Sequence, residues 1–258
     1  MQVVIIGSGN LAWVLAKSLV SVKFQIKQVY SRNLSDAEAL IKEVGGEAVD
    51  TIKAIQKDAD IYFMAVSDKA ISAVAAQLDV GDKPVYHTSG TVSKEVIGCC
   101  SSAYGVFWPM KMLRKSMDSL GESNIVVDAS TPIALDLITS VAAKFTNRVI
   151  QANDIKRQKM HYVATLTANF SNCLYSMGAE FCEKENIGFE LFYPIIQETA
   201  TAIRTASPHS LQAGPAFRGD METLALHRSF ITDNSLFLDV YNVLSDSIAN
   251  IKKAHSKE

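Results

Sequence analysis

Along the first 150 or so positions the apolar residues follow two alternating rhythms. Short, nearly continuous apolar runs at 3–6, 25–30, 61–66, 84–87, 124–127 and 148–150 read as strands. Between them, residues 36–44, 51–56, 69–78 and 132–145 repeat their apolar positions every three or four residues, which predicts amphipathic helices. Strands with so few polar positions are covered on both faces. Strand–helix alternation of this kind implies right-handed βαβ crossovers and a mostly parallel sheet.

After residue 152 the strand signals stop. Residues 154–187 form one long helical stretch that contains no proline and a single glycine, Gly178. Further helical patterns cover 189–206 and 235–254, separated by a loop at 207–220 and a short helical piece through Arg228. The expected architecture is α/β: a Rossmann-type, mostly parallel sheet domain over 1–152, followed by an all-helical C-terminal domain over 153–258.

Composition narrows the classes. The chain has 258 residues, 48% of them hydrophobic and 20% charged, with a formal net charge of -2. That profile is globular and carries no basic stripe for nucleic acid. No apolar run approaches the roughly 20 residues of a membrane span, and the N-terminus shows no leader pattern, so a cytoplasmic protein is expected. Cys99, Cys100, Cys173 and Cys182 have neither zinc-site nor disulfide-framework spacing. No metal site is expected.

The first candidate chemistry is the turn after the first strand. Gly7-Ser8-Gly9-Asn10-Leu11-Ala12 fits G-x-G-x-x-G/A, with Ala12 in the third place. The first glycine permits the tight turn, the second admits a pyrophosphate, and the small third residue lets helix and strand pack closely. The free N–H groups of the new helix then hold the phosphates. A purely structural turn is the alternative, but the position at the head of a βαβ series favours a dinucleotide.

The second strand ends at Ser31-Arg32-Asn33, where an NAD-specific site usually places an acidic residue. A hydroxyl, a guanidinium and an amide suit a 2′-phosphate instead, so NADP is the expected cofactor. Val66 and Ser67, after the third predicted strand, would border the ribose and nicotinamide. Thr88 or Ser89 either caps the next helix or contacts substrate or nicotinamide, and His87 reads as a core or supporting histidine.

GSGNLA at 7–12, HTSG at 87–90, HYVATLTANFSN at 161–172 and AGPAFRGD at 213–220 together resemble a known group. They are similar to pyrroline-5-carboxylate reductase and ketopantoate reductase-like enzymes. The closer likeness is to Rossmann-like proteins with a DUF2520 C-terminal domain, grouped with coenzyme F420-dependent NADP oxidoreductases. The resemblance implies a C-terminal half like that of 6-phosphogluconate dehydrogenase, and a homodimer built on it. The chain departs from these relatives in having Trp108-Pro109 where they carry His-Pro, and in lacking Ser-Gly-Ser-Gly-Pro near 164–172.

In the helical half, His161, Thr165 and Asn169 recur every four residues and would share one face of the long helix. That stripe either lines a polar cleft or is hydrogen-bonded inside a bundle. In the cleft reading His161 supplies a proton, Asn169 fixes a substrate oxygen, Ser89 joins them in catalysis, and Thr165 contacts substrate. Lys156 and Lys159 are rival donors or plain solvated lysines. Trp108 and Met110 would form an apolar wall. Arg218 either clamps a substrate carboxylate or braces its loop with Asp220.

The expected function is hydride transfer between NADP(H) and a small carbonyl or imine compound bearing a carboxylate. The alternatives are hydride exchange with a deazaflavin such as coenzyme F420, and an NADP sensor that catalyses nothing.

Overall fold

A computed structural model describes residues 1–232 and 234–255. The chain divides into two compact units, Met1–Phe170 and Ser171–Glu258. The first is built on eight strands: β1 (Gln2–Ile6), β2 (Gln25–Tyr30), β3 (Glu47–Val49), β4 (Ile61–Met64), β5 (Val85–His87), β6 (Tyr104–Pro109), β7 (Ile125–Ala129) and β8 (Val149–Gln151). Its helices are α1 (Asn10–Ser21), α2 (Leu34–Val44), α3 (Asp68–Ala75), α4 (Pro132–Ala142) and α5 (Asp154–Ala164).

The strands run β3-β2-β1-β4-β5-β6-β7-β8 across one sheet. All neighbours are parallel except β6 and β7, which pair antiparallel from Gly105↔Ala129 to Pro109↔Ile125. The order reverses between β1 and β4, the switch point where ligands of open α/β sheets bind.

Side-chain alternation along β1 distributes the core to both faces. Val3 and Ile5 pack with Leu15 and Leu19 of α1 and Ile138 of α4, while Val4 and Ile6 pack with Ile71 and Val74 of α3. A smaller cluster joins Val106 and Trp108 of β6, Val126 of β7 and Met160 of α5. It fastens α5 to the sheet, which is why the first unit runs on to Phe170.

Two strands escape a reading of the sequence. β3 has only three residues and a charged start. β6 is interrupted by Gly105 and ends in Pro109, both of which signal a break. Gly105 is there because a Cβ would lie 2.2 Å from the Asp128 carbonyl oxygen on the neighbouring strand. The predicted helix over 51–56 is a single 3-10 turn, Ile52–Ala54.

The long predicted helix is not uniform. Thr165–Phe170 is a π-helical segment, after which α6 (Ser171–Lys184) resumes in the second unit. That unit continues with a 3-10 turn at Phe189–Phe192, α7 (Tyr193–Ala202), α8 (Pro215–Arg218), α9 (Met221–Ser229) and α10 (Ser235–His255). His227 Nδ1 with Tyr241 Oη, and Arg228 Nε donating to Asn242 Oδ1, each at 2.8 Å, tie α9 to α10.

Candidate cofactor and active site

The site starts where β1 ends. Gly7 adopts φ +127, and a Cβ there would lie 2.3 Å from the Ala65 carbonyl oxygen. Only glycine lets the chain turn so tightly against the end of β4. Gly9 is the opposite case: it precedes α1, and a Cβ on it would meet nothing within 4 Å. The space beside it is therefore open, and no side chain caps the N-terminus of α1. Uncapped N–H groups beside a bare backbone form an anion cradle. Ser8, Asn10 and Leu11 stand on this turn.

The cradle opens into a cleft of about 300 Å³ that also reaches Ser31, Arg32, Asn33, Val66 and Ser67, after β2 and β4. Of the sequence-predicted cofactor residues, Gly7, Ser8, Gly9, Ser31, Arg32, Asn33, Val66 and Ser67 thus converge, whereas Asn10 and Leu11 do not line the cleft. Ser31 is 7% exposed, with its hydroxyl 2.9 Å from that of Ser8 and accepting the Asn33 N–H. It shapes the turn as well as facing the cleft. Arg32 is exposed and pairs with no carboxylate among the described residues. The acidic residue that the sequence reading passed over is Asp36, in the first turn of α2, which lines the same cleft.

Beyond β5 the loop is held from several sides. His87 is fully buried, and its Nδ1 accepts the Ser89 N–H at 3.2 Å, which leaves the ring proton on Nε2. Burial, and then the positive charge of Arg157, push the His87 pKa down to about 4. Thr88 and Ser89 are both buried, and the Ser89 oxygen accepts the N–H groups of Thr91 and Val92, each at 3.0 Å. Ser89 thus closes the loop at Thr91 and Val92, while the next helical piece, the 3-10 turn Lys94–Ile97, is capped by Ser93 and not by Thr88 or Ser89. Thr88 Oγ1 donates back to the Met64 carbonyl at 3.4 Å.

The next residue brings α5 into the site. Gly90 has the imidazole of His161 so near that a Cβ would lie 2.4 Å from its Cδ2, and 2.9 Å from Cε2 of Trp108. The Trp108 and His161 rings are 5.6 Å apart. His161 therefore stands at the carboxyl end of β5, against the wall that Trp108 provides. Of its expected companions, Thr165 follows it on one face and Asn169 does not. Thr165 Oγ1 donates to the His161 carbonyl at 3.0 Å, and the π-helical segment begins there. A π turn closes on the fifth residue rather than the fourth, so Asn169 falls out of register with His161, and it is exposed.

Nothing in the sequence pattern announced the groups that hold this loop. Arg157, within the charged string DIKRQK, is fully buried; its Nη2 donates to the Val92 carbonyl and pairs with Asp154 Oδ1 at 2.8 Å. Gln158 donates to the Thr91 carbonyl at 2.8 Å, and Thr91 donates to Asp68 at 2.7 Å. Burial raises the Asp154 carboxyl, but bonds from Ser93, the Lys94 N–H and Arg157 outweigh it and hold the pKa below its ordinary value. A charged segment at a helix start reads as solvated, and only the packing of α5 reveals otherwise. Met110, Met160 and Val163, with Lys156 and Lys159, line a further hollow of about 500 Å³ along α5.

Arg218 belongs to the second unit. Its side chain is 64% exposed, and Asp220, 4.0 Å away, accepts the Thr223 N–H and caps α9. No group of three or more histidine, cysteine or acidic residues among the described residues is placed to hold a metal. Among the same residues, no helix is long and apolar enough to cross a membrane.

A glycine turn into a helix, a cleft at the switch point and a strand-end loop facing a histidine define a Rossmann-type dinucleotide-binding oxidoreductase fold. Residues 2–86 match the family described as NADP oxidoreductase, coenzyme F420-dependent, and residues 123–248 match the domain of unknown function DUF2520. A Bacteroides fragilis structure described as a putative NADP oxidoreductase is 30% identical, with a TM-score of 0.92 over 96% of this chain and 98% of that one. The chain belongs to this family of NADP oxidoreductases joined to a DUF2520 domain.

More distant structures share the fold. A Myxococcus stipitatus imine reductase in complex with NADP+ is 14% identical, with a TM-score of 0.66 over 98% of this chain and 95% of that one. A 1-pyrroline-5-carboxylate reductase from Streptococcus pyogenes is 13% identical, with a TM-score of 0.67 over 97% and 98%. No curated protein matches the chain.

Proposed function

We propose that the protein binds NADP(H) in the cleft at Gly7–Gly9 and Arg32 and reduces or oxidises a small carbonyl or imine compound that carries a carboxylate. One observation carries the reading: an uncapped helix start with open space beside Gly9 faces a cleft lined by Arg32, which has no ion pair among the described residues, and His161 of α5 stands against Gly90 after β5, two strands from β1. The nicotinamide supplies hydride when bound. The N–H groups at the start of α1 hold the pyrophosphate, and Arg32 pairs with the 2′-phosphate.

On the substrate side, His161 holds the proton for the reacting oxygen or nitrogen, beside the hydrophobic face of Trp108. The tight Gly90–His161 approach fixes the position of the imidazole. The apolar hollow along α5, with Lys156 and Lys159 at its edge, suits an aliphatic body with a carboxylate. The protein works in the cytoplasm as a homodimer, the second copy covering the exposed apolar helices. The family description of residues 2–86 supports one other reading, hydride exchange between NADP and coenzyme F420.

The test is calorimetric titration of NADPH and NADH into the protein and its Arg32→Ala variant. The 2′-phosphate contact is worth roughly 1.5–3 kcal/mol, so NADPH should bind at least about tenfold more tightly than NADH, and the variant should lose that advantage. Equal affinities in the unaltered protein would refute the cofactor assignment. NADPH oxidation by panels of 2-oxo acids, cyclic imines and oxidised F420 then separates the two reactions.

A further inference from the structure

The cleft that receives the adenosine end carries two opposite charges. Arg32 ends the β2 turn, and Asp36 stands in the first turn of α2, both on the cleft wall beside Asn33. The two do not neutralise each other, for no Arg32 ion pair forms among the described residues. Asp36 instead accepts a hydrogen bond from Asn33 Nδ2 at 3.3 Å, and Asn33 also takes the hydroxyl of Ser35 at 3.0 Å. That small network keeps the carboxylate on the N-terminal turn of α2, where helix N–H groups would otherwise favour a phosphate.

We infer that Asp36 is a specificity-determining residue that limits the preference of this protein for NADPH over NADH. The inference rests on the proposed binding of NADP(H) in this cleft. A 2′-phosphate there is attracted by Arg32 and repelled by Asp36, whereas a 2′-hydroxyl meets no repulsion and can donate to the carboxylate. The chain thus holds an NADP-type guanidinium and, four positions later, a carboxylate of the kind that serves NAD, placed on the helix instead of at the strand end.

The decisive measurement is the ratio of NADPH to NADH dissociation constants in Asp36→Asn, which keeps the side chain's size and a hydrogen-bonding oxygen for Asn33. Removing one like charge at this range should tighten NADPH roughly three- to tenfold and leave NADH unchanged or slightly weaker. The gain should shrink in about 1 M salt, because the effect is a field between partly exposed charges. The same gain should appear in an Arg32→Ala background, since the repulsion needs no guanidinium. An unchanged ratio in Asp36→Asn, with NADPH still bound, would overturn the inference and spare the cofactor reading. Failure of the unaltered protein to bind either nucleotide would overturn both.

Discussion

In the unit from Met1 to Phe170, Val3, Val4, Ile5 and Ile6 of β1 have no exposed surface at all; in the unit from Ser171 to Glu258, Leu236 and Val243 of α10 are 66% and 64% exposed. The contrast extends beyond these residues. Buried apolar side chains in the second unit, among the described residues, come down to Cys182, Ala216 and Leu224. Its large apolar groups, including Leu191, Tyr193, Ile195, Leu226 and Phe230, face outward. A sheet with helices on both faces closes its own core. A short set of helices does not, and it leaves a broad apolar surface uncovered, on which the proposed homodimer rests. The first unit closes a core and a cleft of its own, and the second leaves most of its large apolar groups outside.

The largest effect expected lies at the point where the first unit depends on one backbone shape. Gly7→Ala forces a Cβ to 2.3 Å from the Ala65 carbonyl at φ +127, and should cost about 4 kcal/mol or more in chemical denaturation. Gly9→Ala, whose Cβ enters open space, should stay within about 1 kcal/mol of the parent protein yet lose NADPH binding. If the two substitutions destabilise equally, the open space beside Gly9 is not a cradle.

A second test breaks the comparison from the other side. Leu236 and Val243 are seven residues apart on α10 and share a face. Leu236→Asp with Val243→Asp should convert the proposed dimer to a monomer in light scattering, a loss of roughly 100-fold or more in association at about 1.4 kcal/mol per tenfold. NADPH affinity should be unaffected. A parent protein that is already monomeric at micromolar concentration would refute the homodimer.

The smallest effect concerns the loop clamp. His87 is held neutral, with a folded pKa of about 4 against 6.5 when unfolded. Above about 6.5 both states are neutral and nothing changes with pH. As pH falls from 6.5 toward 4 the unfolded chain takes up a proton that the folded chain refuses, so stability declines through that window, by at most about 3 kcal/mol. His87→Gln should flatten the decline between pH 6.5 and 4. A slope that survives the substitution would assign it to other groups.

The local sequence carries much of the first unit. A β-branched run stopped by Gly-Ser-Gly reads as a strand turning into a helix, and the ends of the strands beside it carry Ser31, Arg32, Val66 and Ser67, which share one cleft with Gly7 and Gly9. The end of β5 is legible only in part: His161 reaches it and Thr165 follows one α-helical turn later, but Asn169 lies in the π segment that breaks the period.

What the sequence by itself determined is what short-range chemistry controls, namely the strand–helix rhythm, the glycine turn and the cofactor class. The tertiary structure alone decided the remainder. β6 is a strand because β5 and β7 supply its hydrogen bonds, despite Gly105 and Pro109. Arg157 is buried because the Val92 carbonyl and Asp154 receive its charge, and Gly90 is bare because Trp108 and His161 fill the space of a side chain. Each depends on residues distant in the chain, and a propensity reads only neighbours.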